Sequence, residues 1–248
     1  MEFNINWKPE ENGKLHRNVE INEILLDTME ELFPLESGAT ILEIGGGDGV
    51  FAETASSRGY APTVLDCDEA QLKSLPSSLP VIQADWADIE ESDSRLAEKY
   101  HVVVCNFNTA VQSVDELRKM NHTAAEWCIV NRLLMYKEPM IDRIAKALDL
   151  PVKPVFPKLK QDYIQFNSNS VIAGHRADVH FNDLVWETKR TPQEASDRFL
   201  SVYFAGKEIP EGLEEQALKI AESMASDGTV SDSVSAHVAH LHWNVNYR

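Results

Sequence analysis

Long hydrophobic runs are missing from this 248-residue chain. No apolar stretch approaches the roughly 20 residues that a helix needs to cross a bilayer, which excludes a helical membrane span. Marks of export are missing as well. Met1 to Lys14 is polar, carries Glu2, Glu10 and Glu11, and offers neither the basic start nor the apolar centre of a secretory signal. A cytoplasmic location with no membrane partner is the expectation. Cysteine is scarce: Cys67, Cys105 and Cys128 are the three, the last two in apolar runs, and no CxxC pair exists. This argues against a disulfide framework and predicts reduced thiols that behave as small core residues. Basic charge is also short, with 23 Lys and Arg against 40 Asp and Glu, a formal net charge of -17. Such a surface repels a phosphate backbone, so nucleic acid is not an expected partner. The most basic stretch, Lys153 to Lys160, has three lysines among prolines and no arginine.

What remains is the composition of an ordinary globular protein, 43% hydrophobic and 25% charged. The length suits one large domain, or one domain with an inserted subdomain, and buries a substantial core. No internal repeat or low-complexity tract is visible.

From Glu20 to Phe33, Ile21, Ile24, Leu25, Met29, Leu32 and Phe33 recur at three- and four-residue steps, the period of an amphipathic helix. Thr40 to Ile44 is a short apolar run ending at Gly45, and Val50 to Arg58 reads as a helix closed by Gly59. Further strands are predicted at Pro62 to Leu65, Val81 to Ala84, His101 to Cys105 and Trp127 to Val130, with helices at Ser92 to Lys99 and Val114 to Met120. Strands alternating with helices at this spacing predict parallel βαβ units with helices on both sheet faces. Beyond Leu134 a helix is expected from about Glu138 to Leu148, then a bend at Pro151, Pro154 and Pro157, and another helix from about Gln161. Two last strands, Ala177 to Glu187 and His237 to Val245, enclose two helices. The first opens on Thr191-Pro192-Gln193-Glu194, a capping box with proline at its first turn, and the second follows Pro210. The last strands are expected to be antiparallel, their connection enlarged into a helical cap.

The most informative motif is Glu43-Ile44-Gly45-Gly46-Gly47-Asp48-Gly49, between the first strand and its helix. Glycines there permit a sharp turn and let a ligand approach the main chain, while helix amides point at the bound group. The spacing from Gly45 is GxGxG; Val50 stands where a dinucleotide fingerprint has its third glycine. Glu43, two residues before the first glycine, suits a cationic ligand better than a pyrophosphate. Two acids follow at carboxyl ends of later strands, where open α/β sheets bind ligands. Asp66, in Leu65-Asp66-Cys67-Asp68, is placed to accept ribose hydroxyls. Asp85, in Ala84-Asp85-Trp86, offers a carboxylate beside an aromatic or main-chain surface for a purine. Each acid alone also reads as a helix cap or a solvated loop residue.

Together the run Ile41 to Gly49, Asp66 and Asp85 resemble the class I S-adenosylmethionine-dependent methyltransferases, over about residues 38 to 135. The resemblance implies an α/β Rossmann-like sheet, mostly parallel with an antiparallel last strand, with helices on both faces and a helical cap insertion. It implies S-adenosyl-L-methionine as cofactor, with Glu43, Gly45, Gly46, Gly47 and Gly49 at its methionine part. Asp66 and Cys67 would lie at the ribose, Asp85 and Trp86 at the adenine, and Asn106 and Phe107 on the methyl-transfer face. On this reading residues 1–248 form one methyltransferase domain. Residues 1–37 are an amino-terminal helical segment or lid, 38–135 the cofactor half, and 136–248 the substrate half with its insertion at about 191–226. The rest of the chain looks like small-molecule methyltransferases of the bacterial kind, and a small-molecule substrate is expected.

Two departures narrow the reading. His101 stands at the start of strand four, where the family often has aspartate, and Asn106-Phe107-Asn108 lacks the Asn/Asp-Pro-Pro-aromatic signature of base and amide amino-methylation. The glycine string also looks like that of aminopropyltransferases, whose aspartate-rich motif after strand four is absent here. A cofactor-binding regulatory protein is a further alternative. Methyl transfer demands no fixed base, and His16, His175, His180 and Asn106 are all polar groups suited to such a pocket, none singled out by spacing. No metal is expected. His240 and His242 share a strand face opposite Ala239, Leu241 and Trp243, but zinc would need ligands from elsewhere, and a polar sheet face or hydrogen-bonded histidines explain them. Trp127, Trp186 and Trp243 are expected in the core.

Overall fold

The computed structural model describes residues 19–90, 92–96, 100–108, 110–152, 169, 174 and 176–246. Its helices are α1 (Val19–Leu32), α2 (Val50–Ser57), α3 (Glu69–Leu72), α4 (Val114–Thr123), α5 (Pro139–Ala147), α6 (Pro192–Tyr203) and α7 (Leu213–Met224). The strands are β1 (Thr40–Ile44), β2 (Ala61–Asp66), β3 (Val81–Gln83), β4 (Tyr100–Asn106), β5 (Ala124–Lys137), β6 (Asp178–Arg190) and β7 (Val230–Asn244). They form one mixed sheet in the order β3-β2-β1-β4-β5-β7-β6. The pairs β1·β2, β1·β4, β2·β3 and β4·β5 are parallel. No described helix is long and apolar enough to cross a membrane.

The central strands explain their sequences. β1 and β4 are covered on both faces, so Ile41, Leu42 and Ile44, and Val102 to Cys105, are all fully buried, and each strand reads as a continuous apolar run rather than an alternation. Strand order reverses at β1, whose neighbours are β2 and β4. In the aligned register Ile44 lies opposite Leu65 on one side and Cys105 on the other. The carboxyl ends of three strands are thereby level at the switch point, where such sheets bind ligands.

The chain divides into two compact units, crossing between them inside β5 at Arg132/Leu133, inside β6 at Phe181/Asn182 and inside β7 at Val238/Ala239. The first contains β1 to β4 and α1 to α4. There Ile21, Leu25, Leu26 and Met29 bury the apolar stripe of α1, and Arg58 at the end of α2 ties to it by donating to Glu23 and to Asp27 Oδ1 at 2.6 Å. The second contains α5, α6 and α7, which share a core of Met140, Ile144, Phe199, Ala217 and Ala221. Glu138, at the start of α5, is fully buried in that unit; it accepts from Arg198 Nε at 2.9 Å and from the Tyr136 hydroxyl at 2.8 Å, and Arg190 lies 3.3 Å away. α6 opens with the expected capping box, Thr191 N–H donating to Glu194 Oε2 at 2.8 Å and Glu194 N–H returning to Thr191 Oγ1.

Three elements differ from the sequence expectation. Ser92 to Lys99 is not a helix over its described part but a single 3-10 turn, Ser94–Leu96, where Asp93 Oδ1 takes the Arg95 N–H at 2.8 Å and competes with helical bonding. β5 runs 14 residues from Ala124, because Asn131 and Arg132 interrupt its apolar run without ending its pairing. β7 begins at Val230, seven residues before the expected His237: Val230, Asp232, Val234 and Ala236 point inward while Ser231 and Ser233 face out. Serine is a weak strand former, so that alternation was hidden. The bend at Pro154 and Pro157, the helix from about Gln161, His16 and His175 lie outside the described residues.

Candidate functional site

The glycine loop leaves β1 at Gly45, whose N–H extends the β1·β2 ladder by donating to Leu65 O at 2.7 Å. Gly45 has φ 68°, and a Cβ there would lie 2.6 Å from Asn108 Nδ2. That amide belongs where it is, since Asn108 Nδ2 donates to Ile44 O at 2.7 Å and pins the loop to the end of β4. At Gly46 the constraint is space rather than angle: a Cβ would stand 2.8 Å from Glu43 Oε2 and 2.9 Å from Val64 Cγ1. The loop closes at Gly49, which precedes α2 and donates to Gly46 O at 2.9 Å.

Asp66 ends β2 beside this loop. Its Oδ2 accepts the Gly47 N–H at 2.9 Å and its Oδ1 the Asp68 N–H at 2.8 Å. A carboxylate has about four lone-pair positions, so the half-exposed group retains capacity for a ligand. Asp68 is a helix cap: its Oδ1 accepts the Ala70 N–H at 2.9 Å, and these bonds hold its carboxyl below the usual range. Cys67, between them, is exposed and not the core residue expected, because it leaves β2 between two acids; partial burial with the nearby Asp66 and Asp85 raises its thiol. Asp85 follows β3, whose end joins β2 through Ala84 N–H to Asp66 O at 3.0 Å, and its Oδ1 takes the Ala87 N–H at 2.9 Å. The ends of β1, β2 and β3 therefore bring Glu43, the glycines, Asp66, Cys67 and Asp85 together.

Trp86 is placed differently. Its ring is 1% exposed and Lys119 Nζ sits over it, 4.7 Å from the centroid, while the same ammonium donates to Trp86 O and, at 2.7 Å, to Ile89 O. Trp86 docks α4 with its ring turned inward, so the indole is not part of the strand-end edge at which Asp85 stands. His101 departs from the family pattern away from this edge, at the amino end of β4, where its Nδ1 accepts from Thr40 N–H at 3.1 Å.

Glu43 is the most perturbed acid. It is 1% exposed, and burial, with Asp48 and Asp66 nearby, pushes its carboxyl up to about 8 despite the hydrogen bond from Asn106. Asn106 Nδ2 donates to Glu43 Oε1 at 3.0 Å, whereas Oε2 has no hydrogen-bond partner among the described residues. Asn106 Oδ1 in turn accepts from Asn131 Nδ2 at 2.7 Å, and Asn131 Oδ1 lies 2.7 Å from His240 Nδ1. Phe107, next along, is buried with φ 51°, a left-handed conformation held by its N–H to Asn131 O at 3.1 Å.

Asn108, Asn131 and His240 escaped sequence reasoning as members of this set. The available signal was Asn131, a polar residue at the end of an apolar run paired in register with Asn106. His240 and His242 share a face as expected, but it is no solvated one: both are buried, and His242 Nδ1 lies 3.4 Å from the His240 carbonyl. Of the tryptophans, Trp243 is buried, while Trp127 is half-buried and stacks on Phe33 at 4.8 Å between centroids.

No protein-family model matches the sequence, and no curated protein matches it. Solved structures do. One described as a methyltransferase from an antibiotic biosynthesis pathway of Anabaena variabilis superposes with a TM-score of 0.56 at 12% identity, covering 88% of this chain and 96% of its own. One described as a type II methyltransferase of Anaeromyxobacter dehalogenans gives 0.58 at 11% identity, covering 90% and 95%. What this chain shares with them is architecture: it has the Rossmann-like methyltransferase fold.

Proposed function

We propose that this protein is a cytoplasmic S-adenosylmethionine-dependent methyltransferase acting on a small molecule. The observation that carries the reading is Glu43 Oε2, a buried carboxyl oxygen without a described partner, facing the place that Gly46 keeps clear of side chain. A buried acid of this kind is costly unless a cation or donor meets it, and the ammonium of the methionine part supplies one. On this reading the loop from Gly45 to Gly49 lies along that part. Asp66, with Cys67 beside it, accepts from the ribose, and the chain at Asp85 and Trp86 meets the adenine. Asn106 and Phe107 border the reacting centre.

When bound, the cofactor supplies an electrophilic methyl group on a sulfonium. The protein's task is alignment and exclusion of water, and a base is required only if the acceptor arrives protonated. The net charge of -17 supports a small acceptor rather than a nucleic acid. Incubation with methyl-labelled cofactor and a metabolite extract tests the reading: label should pass to a low-mass product. Cofactor binding without any transfer would assign a regulatory role instead.

A further inference from the structure

The chain Glu43, Asn106, Asn131, His240 crosses β1, β4, β5 and β7 inside one unit, and all four side chains are buried. Each end carries an orphan: Glu43 Oε2 and His240 Nε2 are buried polar atoms without a partner among the described residues. Hydrogen bonds along such a row must all run one way. With Glu43 ionised, Oε1 can only accept, so Asn106 donates to it, Asn131 donates to Asn106, and His240 Nδ1–H donates to Asn131. That leaves Nε2 with a lone pair and no proton. A protonated Glu43 donating from Oε1 would allow the whole row to reverse and move the ring proton to Nε2.

We propose that His240 Nε2 is the hydrogen-bond acceptor for the molecule methylated at this site, and that Asn106 and Asn131 fix it in that role by linking its tautomer to the charge on Glu43. The inference rests on the methyltransferase reading and narrows its substrate to an acceptor carrying an O–H, N–H or S–H donor. The ring orients that donor, a group beside the attacked lone pair and not the attacked atom itself, so no proton passes to Nε2 during transfer and the ring stays neutral. Burial, with His180 at 6.0 Å between ring centroids and His242 on the same strand, lowers its basicity to about 3, so it accepts without holding a proton of its own. An analogue lacking the donor would leave Nε2 buried and unpaired, the arrangement by which polar pockets reject such analogues.

The test uses the full chain with nitrogen-15-labelled histidine rings, saturated with S-adenosylhomocysteine near neutral pH. His240 should be neutral and protonated at Nδ1, and in Glu43→Gln or Asn131→Leu the tautomer should no longer be single. His240→Leu should bind S-adenosylhomocysteine within about twofold of the parent, yet pass label from methyl-labelled cofactor to extract at least about tenfold more slowly. His240→Gln, which offers an amide oxygen in place of Nε2, should recover part of that loss. Ligand binding with His240 protonated at Nε2, or undiminished labelling by His240→Leu, overturns the proposal alone. No ligand binding, or binding with no labelling by the parent protein, overturns the methyltransferase reading and the proposal with it.

Discussion

Asp66 accepts the main-chain N–H of Gly47 at 2.9 Å, so the acid assigned to the ribose also anchors the glycine loop. Asp66→Ala should therefore do two things. It should lower S-adenosylhomocysteine affinity at least about tenfold, since hydrogen bonds to a charged acceptor contribute roughly 1.5 to 3 kcal/mol. It should also lower the Tm of the ligand-free protein, because two amide donors lose their acceptor. Asp68→Ala separates these effects. As the α3 cap it should reduce Tm modestly and leave affinity nearly unchanged, as measured by thermal scans and calorimetry. The reverse ranking in affinity would move the ribose contact to Asp68.

Glu43 makes both stability and binding depend on pH. Its carboxyl is raised from 4.5 to about 8 in the folded chain, so the folded state holds its proton more tightly than the unfolded one. Its contribution is complete below about 4.5 and is lost as pH rises towards 8. Glu43→Gln should thus flatten the decline in denaturant stability across that window. Binding of a cation reverses the preference, so ligand affinity should increase with pH up to about 8, with proton release seen as a dependence of calorimetric heat on the buffer. A pH-independent affinity would show that Glu43 does not meet the cationic group.

Gly46→Ala tests the clear space before Glu43. The added methyl would stand 2.8 Å from Oε2 and 2.9 Å from Val64 Cγ1. Overpacking of this kind costs about 1 to 3 kcal/mol, and ligand binding should fall below detection in a chain that still unfolds cooperatively. Wild-type affinity in this variant would place the ligand elsewhere.

The acidic balance leads to a separate expectation for partners. With a net charge of -17, the protein should elute early from a DNA or RNA column even at about 50 mM salt. Steep, salt-sensitive retention would reveal a basic face that the average conceals.

Much of the fold was legible because the central strands β1 and β4 are buried on both faces, and their apolar runs stop where the chain turns. The Thr191 capping box likewise carried its own signal. β7 was legible only in its second half, where Val238, Ala239 and Leu241 are apolar; serines on the outward face disguised the first half. In the site, spacing could mark Glu43, the glycines, Asp66 and Asp85, since a βα turn is local. It could not show that Trp86 turns inward under Lys119, nor that His240 joins Asn131 across 109 positions of sequence. Those contacts depend on which strands become neighbours, a property of the sheet order and not of any segment.

The central claim meets its most direct test in titration calorimetry of the full chain with S-adenosylhomocysteine and, separately, NAD. The GxGxG spacing and the buried Glu43 predict saturable binding of the first, weakened by Glu43→Gln, and no measurable heat with the second. Saturable NAD binding with no response to S-adenosylhomocysteine would contradict the account.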